Sequence, residues 1–478
     1  MIEIESFAVQ NGRHTRPERL NAFDMINLAV ETPAAPMTIG AVLVLDRPAA
    51  HGGEGGPSVA TIRQAVERAL VSAPPLRRVI RSAGPLAGRP VWVDDCAFDV
   101  DRHVLTARVP WPGDQAQLLR LAAQLMSGPL DRAHPLWRMW LLTGLAEGRV
   151  AILVKLHHVL ADGLAAIRLV LSTLERALPE TDGPVPRWVP VPAPSWSTLV
   201  ADNLRARLAA VRQPPRRVGP RQLAGMVRGH WRMIATLRHA ARTSLNAPIG
   251  PRRRLAVMRV DLVEAKQVAH RHGGKVNDVV LSLATAGVRA LLHTRGESLD
   301  GLWLHATVAM SLRTSAEALD GGGNRTGGFV VRLPAGEPDP AARLGSIAVE
   351  SARAKRDQPP TAGNVLLIWL ARMGIANYFS RHQRMIHFVE SNVPGPPVPV
   401  HVLGTPILDV LPIGNLAGNL GVSFLAVSYA GTLAITVHVD ADRFPDLPVL
   451  LAGMRREWAM LRATTVLCDG VKVAGRGS

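Results

Sequence analysis

The sequence predicts an α/β protein with mixed sheets, arranged as two domains. A chain of 478 residues is too long for one hydrophobic core, since such cores stop growing at about 250 to 300 residues. Strand-like segments alternate with segments of helical spacing on both sides of a proline-rich stretch at 179–194. Hydrophobic residues make up 47% of the chain and charged residues 19%, which provides apolar material for both cores.

The first half begins with a β-rich segment at 37–46. The segments 58–73 and 114–126 have the spacing of helices that start at polar N-caps. Two further strands, WRMWLLTGL and RVAILVKL, flank a turn at Glu147-Gly148, and the second leads into a helical segment at 164–178.

The proline-rich stretch predicts a linker, so we divide the chain near it. Residues 1–190 form a first domain, 191–254 a basic helical connector, and 255–478 a second domain. The connector is rich in arginine, and Asp202 is the single acidic residue between 201 and 254.

The second domain repeats the mixed character of the first without a detectable sequence repeat. Its predicted strands are LAVMRVDL, WLHATVAM, GGFVVRL, GTPILDVL, VSFLAVSY and TLAITVHV. Its predicted helices lie near 277–293, 339–355, 363–377 and 448–463.

Charge and cysteine usage restrict the function classes. A formal charge of +17 and a pI near 11.2 favour anionic partners such as nucleic acid, lipid headgroups or phosphorylated cofactors. The 2 cysteines, Cys96 and Cys468, provide neither a metal site nor a disulfide framework. With no signal-like start and no membrane-spanning segment, we expect a cytoplasmic protein that meets a membrane only from its surface. No recognised nucleic-acid module occurs, so we expect no nucleic-acid partner.

The chemistry is concentrated in HHVLADG, which contains His157, His158, Asp162 and Gly163 between a strand and a helix. Because side chains alternate along a strand, Leu156 and His158 should share a face while His157 points the other way. A histidine at a strand end can take a proton from a hydroxyl, since its unperturbed pKa is about 6.5. Asp162 is interpreted as structural, an N-cap or an ion-pair partner. The alternative is that both histidines are ordinary turn residues.

The motif resembles the H-H-x-x-x-D-G signature of the bacterial wax ester synthase/diacylglycerol acyltransferase family, within the group that includes chloramphenicol acetyltransferase and peptide-synthetase condensation domains. Further similarity to the narrower family extends along the chain: Asp24, Glu31 and Met37 in the opening segment, Pro135-Leu136-Trp137, Asn277-Asp278, Asn392 to Pro396, and the final strands. The resemblance implies two chloramphenicol-acetyltransferase-like domains with an active-site channel between them, and His158 as general base.

The secondary motifs also have structural interpretations. Pro135, Leu136 and Trp137 are more typical of core packing than of catalysis. Asn277 and Asp278 cap the following helix or shape the site. The segment containing Asn392, Pro394 and Gly395 is first a rigid turn, which could line a tunnel. The chain departs from the family at VAMSLR and at Leu20-Asn21-Ala22. These departures weaken any inference from the family about which acceptor this chain uses.

The resulting expectation is an O-acyltransferase that moves a long-chain acyl group from acyl-CoA to diacylglycerol or a long-chain alcohol, with no metal and no resident cofactor. The basic connector could lie on an anionic membrane or lipid inclusion, or be a solvated crossover. Two alternatives remain open. An acyltransferase of the same fold could use a carrier-bound donor, or the protein could be a non-catalytic basic coat of lipid inclusions or a nucleic-acid binder.

Overall fold

The computed structural model describes residues 17–47, 57–160, 188–212, 240–311, 326–357, 370–371 and 373–474. Its strands form two six-stranded sheets and one two-stranded hairpin. The α/β class with mixed sheets is therefore confirmed.

The strands in chain order are β1 (Thr38–Leu45), β2 (Arg78–Arg81), β3 (Val91–Asp94), β4 (Val104–Arg108), β5 (Trp137–Thr143), β6 (Val150–His157), β7 (Arg253–Asp261), β8 (Trp303–Ser311), β9 (Thr326–Pro334), β10 (Phe388–Pro394), β11 (His401–Val402), β12 (Thr405–Ile413), β13 (Val422–Tyr429) and β14 (Thr432–Asp440).

The α-helices within the described residues are α1 (Ala22–Val30), α2 (Val59–Ala69), α3 (Gln115–Met126), α4 (Trp196–Arg212), α5 (Leu262–Arg271), α6 (Val276–Thr294), α7 (Pro340–Asp357), α8 (Ala376–His382) and α9 (Leu447–Ala474). The predicted helix at 164–178 lies outside the described residues.

The first sheet has the strand order β11-β12-β1-β6-β5-β4. Strand β1 is antiparallel to both neighbours, with Gly40 opposite Lys155 of β6 and Ile413 of β12. A Cβ at Gly40 would collide with the carbonyl oxygen of Val154, so this close approach requires glycine. Strands β11 and β12 lie after residue 255, in the predicted second domain, yet they belong to the first sheet. The two sheets therefore do not coincide with the two predicted domains. The boundary near residue 190 itself stays a prediction.

The second sheet has the order β7-β14-β13-β10-β8-β9. Strand β10 lies in its middle and is parallel to both β13 and β8. Buried side chains of α5, α6, α7 and α9 form one apolar core with this sheet. Helices α6 and α9 approach closely, since a Cβ at Gly287 would lie 2.8 Å from the Leu450 carbonyl oxygen.

The predicted helical connector is only partly helical. Helix α4 accounts for its start and 213–239 lies outside the described residues, but 240–252 contains no helix. Pro248, Gly250 and Pro251 explain this, because proline and glycine interrupt helical hydrogen bonding. Arg253 and Arg254 belong to β7, where they pair with β14, so the helical prediction for this end was wrong.

The described helices include none with the length and apolar character needed to span a bilayer.

Candidate active site

An apolar pocket lies between the two sheets. Its first wall comes from β1, β6 and β12, and includes Ile39, Leu43, Leu156 and Val410. Its second wall comes from β8, β10 and β13, and includes Ala309, Val393, Leu425 and Val427. The pocket can therefore hold a long apolar group.

His158 lines this pocket immediately after the end of β6. Leu156 also faces the pocket, whereas His157 does not line it, as the alternation along the strand predicts. The His158 amide donates to the Met37 carbonyl oxygen at 2.8 Å. Its half-buried ring meets Phe23 edge-on, with 6.4 Å between ring centroids. The backbone thus presents one imidazole to the pocket.

His157 is fully buried and stabilises the turn that carries His158. Its Nδ1 accepts the Val159 amide at 3.1 Å, so the proton of a neutral ring resides on Nε2. That Nε2 lies 3.3 Å from Oε1 of Glu31. The amide of His157 also donates to the Leu136 carbonyl at 2.9 Å. His157 is therefore fixed on three sides.

Glu31 connects His157 to the backbone that supports His158. Its Oε1 accepts the Met37 amide at 3.1 Å, and its Oε2 accepts from Arg132 at 2.6 Å. Burial raises the pKa of Glu31, but the neighbouring His157, Arg132 and the Met37 amide outweigh burial and lower this pKa to about 2. The carboxylate is consequently ionised at neutral pH.

Asp24 acts at the start of α1, the helix that carries Phe23. It forms a capping box with Asn21, in which Asp24 accepts the Asn21 amide at 3.1 Å and Asn21 accepts the Asp24 amide at 2.8 Å. Burial raises the pKa of Asp24 to about 7, against the lowering effect of these hydrogen bonds. Its observed contacts are those of a helix cap.

Pro135, Leu136 and Trp137 are buried and do not line the pocket. Trp137 donates from Nε1 to the Leu76 carbonyl at 2.8 Å and stacks on His103 with 4.4 Å between ring centroids. These contacts agree with the core-packing interpretation. This motif contacts the site through the Leu136 carbonyl oxygen, which accepts a hydrogen bond from the His157 amide.

Asn277 and Asp278 lie in the first turn of α6, behind the second sheet. Asp278 accepts the Lys275 amide at 2.7 Å and so caps the helix, as the structural interpretation predicts. Asn277 donates to the buried Glu390 at 3.3 Å. Burial raises the pKa of Glu390 to about 8. The pair therefore contacts β10 from the helix side and does not line the pocket.

Asn392, Pro394 and Gly395 are not a turn, contrary to the prediction. Asn392 and Pro394 belong to β10, which pairs in parallel with β13, and Gly395 continues the pairing by donating to the Ser428 carbonyl at 3.0 Å. Pro394 is the last residue of β10. Val393 and Gly395 line the pocket, while Asn392 and Pro394 do not.

Asp162 and Gly163 lie outside the described residues, so their structural roles stay predictions.

Several pocket residues were missed by the sequence analysis. Ser391, Asn415 and Ser423 are polar groups that line the pocket in addition to His158. Ser423 could have been identified, because alternation along VSFLAVSY places it on the face of Leu425 and Val427. Asn415 follows the end of β12 and has no comparable signal.

Known proteins resemble this chain over most of its length. The model of the wax ester synthase/diacylglycerol acyltransferase catalytic domain matches residues 20–280, and the WS/DGAT C-terminal domain matches residues 322–462. A probable diacylglycerol O-acyltransferase of Mycobacterium tuberculosis strain H37Rv is 32% identical over 394 residues, covering 79% of this chain and 82% of the relative.

Solved structures share the fold. The wax ester synthase/diacylglycerol acyltransferase of Marinobacter aquaeolei VT8 superposes with a TM-score of 0.63 at 22% identity, covering 94% of this chain and 99% of that one. The starter condensation domain of rhizomide synthetase, a mutant in complex with C8-CoA, gives a TM-score of 0.58 at 15% identity and covers 94% and 95% of the two chains.

Proposed function

Because this chain belongs to the wax ester synthase/diacylglycerol acyltransferase family and is therefore an acyltransferase, we propose that it transfers a long-chain acyl group from acyl-CoA to an alcohol with His158 as general base. The observation that carries the proposal is the position of His158, a half-buried imidazole at the wall of an apolar pocket. Metal and resident cofactor have no part in the proposed reaction, in which acyl-CoA is a substrate.

The proposed reaction is a direct transfer. His158 Nε2 takes the hydroxyl proton as the alcohol oxygen attacks the thioester carbonyl carbon. The tetrahedral intermediate then expels the CoA sulfur, and the imidazolium returns the proton to that sulfur. The products are one ester and CoA thiol, so atoms and charge balance.

The dimensions of the pocket support a long acyl chain. From Ser423 to Tyr429, both of which line it, a strand rises roughly 20 Å at about 3.3 Å per residue. An extended acyl chain rises about 1.3 Å per carbon, because its C–C bonds are near 1.5 Å. This wall therefore accommodates roughly 15 carbons.

The acceptor is proposed to be diacylglycerol, a long-chain alcohol, or both. The name of the Mycobacterium relative supports the first, and that of the Marinobacter structure supports both. The choice of acyl-CoA as donor rests on membership of the acyltransferase family and on a structure of the same fold that was solved with C8-CoA. That neighbour is a condensation domain, so a carrier-bound donor is the second candidate.

We further propose that the enzyme works at an anionic membrane or lipid-inclusion surface on the cytoplasmic side. Helix α4 carries Leu204, Leu208 and Val211, which are 56%, 47% and 84% exposed and share one helix face by their spacing. Exposed Arg205 and Arg207 lie beside them. An exposed apolar stripe with adjacent arginines suits a surface of anionic lipid.

The decisive experiment measures CoA thiol release and ester formation with palmitoyl-CoA, offering hexadecan-1-ol and dioleoylglycerol separately. His158→Ala should lose at least a hundredfold in kcat, since general bases contribute about 10²–10⁴-fold. The matched control is His401→Ala, an exposed histidine on β11, which should retain activity. Transfer from an acyl-carrier protein but not from acyl-CoA would favour the second candidate. Equal ester formation by wild type and His158→Ala would reject the proposed base.

A further inference from the structure

The loop between β2 and β3 holds a leucine in a strained and exposed position. Leu86 has a φ of 61°, in the left-handed region that disfavours most side chains. The side chain is 77% exposed, so its packing does little to offset the strain. Backbone strain of this kind persists where the surrounding structure imposes it, and it is typical of functional sites.

Helix α4 and Arg19 impose this conformation by binding the carbonyl groups of the loop. The indole of Trp196 donates to the Pro85 carbonyl oxygen at 3.0 Å, and the side-chain amide of Asn203 donates to that of Leu86 at 2.7 Å. Arg19 donates to two further loop carbonyls, at 2.6 Å and 3.0 Å. The loop is therefore anchored to the helix that carries the exposed apolar stripe.

An open hollow of about 730 Å³ lies between this loop, α1 and α4, and is lined by Arg19, Arg89 and Arg207. Arg19 pairs with Asp202 at 3.0 Å, with the two side chains 14% and 11% exposed, so its charge is balanced. Arg89 and Arg207 are exposed, and within the described residues neither has a hydrogen-bond or ion-pair partner. Arg89 acts on the buried Asp24 carboxyl through space. Both guanidinium groups therefore have free donors, which suit a phosphate group.

The hollow adjoins the apolar stripe of α4. Successive residues of an α-helix are about 100° apart around its axis. Arg207 therefore lies about 40° from Asn203, which lines the hollow, and on its other side about 40° from Val211 and about 60° from Leu204. Leu86 is bound to Asn203 on the hollow side. An anionic group in the hollow would thus have exposed apolar side chains on both sides of it.

The hollow also lies beside the helix that borders the proposed base. Met25 of α1 lines the hollow, whereas Phe23 of α1 meets the ring of His158. Residues two apart in a helix point about 200° apart, so these contacts lie on opposite sides of one helix, whose diameter is about 10 to 12 Å. A lipid in the hollow would hold the bilayer close to the catalytic end of the pocket.

We propose that the hollow binds the phosphate group of an anionic phospholipid, with Arg89 and Arg207 as donors and Leu86 inserted beside it into the apolar layer. The inference rests on the proposed function at an anionic membrane surface and adds a headgroup site to it. The exposed apolar side chains favour a lipid over a soluble phosphate, because a soluble phosphate would leave Leu86 and the stripe in water.

The test measures co-sedimentation with phosphatidylcholine/phosphatidylglycerol vesicles in the absence of acyl-CoA. Arg89→Gln combined with Arg207→Gln should weaken binding about 25-fold, since each basic residue at an anionic surface contributes about fivefold. The charge-matched control is Arg455→Gln with Arg456→Gln, two exposed arginines of α9, the helix that packs on the second sheet. It should bind as the wild type does. Equal losses in the two double variants would show general charge attraction and overturn the headgroup site.

Leu86→Asn tests the insertion separately, because asparagine adopts the left-handed conformation more readily than leucine. This variant should keep or raise the Tm and should weaken vesicle binding at least fivefold. Leu86→Met keeps an apolar side chain and should retain binding. Unchanged vesicle binding by Leu86→Asn would overturn the insertion and with it the assignment of the hollow to a lipid.

Two further measurements identify the source of the phosphate and separate this inference from the proposed function. At constant ionic strength, CoA or inorganic phosphate should leave the wild type bound to the vesicles. Release by either one would assign the hollow to a soluble phosphate and overturn the inference. His158→Ala should bind vesicles as the wild type does. Ester formation in detergent micelles that is lost in His158→Ala would support the proposed chemistry even if the vesicle measurements overturned the headgroup site.

Discussion

The Glu31 carboxylate and the His157 imidazole meet inside the protein, with Oε1 3.3 Å from Nε2. Glu31 also accepts the Met37 amide, and the carbonyl of that same residue accepts the His158 amide. Glu31 and Met37, together with His157, thereby hold the backbone of His158 in place. Glu31 is a positioning residue, because its described contacts are to His157, Arg132 and Met37.

Glu31→Gln should reduce kcat more than it changes KM for palmitoyl-CoA. The amide keeps the shape of the side chain but removes the negative charge beside His157 and Arg132, so the turn that carries His158 loosens. We expect a loss of about 1 to 3 kcal/mol in the free energy of unfolding. Steady-state kinetics and urea unfolding measure the two effects.

The matched control is Glu18→Gln, an exposed glutamate that pairs with Arg78 at 2.6 Å. A surface ion pair contributes about 0 to 1 kcal/mol, so this variant should resemble the wild type. Equal effects of the two substitutions would contradict the positioning role of Glu31.

Acid should destabilise the wild type partly through Glu31. Its pKa is about 2 in the folded protein, against about 4.5 in an unfolded chain, so the unfolded state takes up the proton first as pH falls. The stabilisation is complete above pH 4.5 and is lost toward pH 2. Urea unfolding of wild type and Glu31→Gln between pH 6 and pH 3 should give stability differences that shrink with acidity. A constant difference would show that the charge of Glu31 does not stabilise the fold.

Much of the fold follows from local sequence patterns. Alternation and turn residues identify β5 and β6, and a polar N-cap locates the helices that begin after Ser58 and Asp114. These features depend on neighbours in the chain, which a sequence displays directly. The orientation of His158 also follows, because it depends only on the alternation of β6.

The remaining features depend on contacts between distant residues. Strand β12 joins the first sheet beside β1, although both lie in different halves of the chain. Strand β10 contains a proline and an Asn, which favour a turn in isolation, yet pairing with β13 and β8 keeps it extended. The contact of His438 with the Gly414 carbonyl oxygen likewise depends on how the two sheets meet.

Leu43→Phe should shorten the preferred acyl chain. Leu43 lines the pocket opposite Val410, and lies four residues or roughly 13 Å along β1 from Ile39 at the His158 end. The phenylalanine ring is larger than the leucine side chain and should lower kcat/KM for palmitoyl-CoA relative to octanoyl-CoA about tenfold. The control is Val44→Phe, the adjacent residue, which does not line the pocket. A palmitoyl preference unchanged in Leu43→Phe would place the acyl chain elsewhere.

The buried Arg343–Glu457 pair should contribute to stability without affecting transfer chemistry. Glu457 accepts from Arg343 and from Ser282 at 2.7 Å, joining α7, α9 and α6 away from the pocket. Glu457→Leu leaves Arg343 buried without its counter-charge and should cost about 3 to 5 kcal/mol in the free energy of unfolding. Adding Arg343→Met should recover most of this loss. Urea unfolding measures both, and additive losses would contradict a paired charge.

Removal of the apolar stripe on α4 should weaken binding to anionic vesicles. We expect Leu204→Ser combined with Leu208→Ser to reduce co-sedimentation with phosphatidylcholine/phosphatidylglycerol vesicles at least tenfold, because each buried leucine contributes about 1.5 to 3 kcal/mol. The matched control is Val263→Ser with Val349→Ser, two valines that are 58% and 67% exposed on α5 and α7. These should bind as the wild type does. Binding that depends on salt but not on Leu204 and Leu208 would assign attachment to the arginines alone, since screening weakens charge interactions and leaves apolar insertion intact.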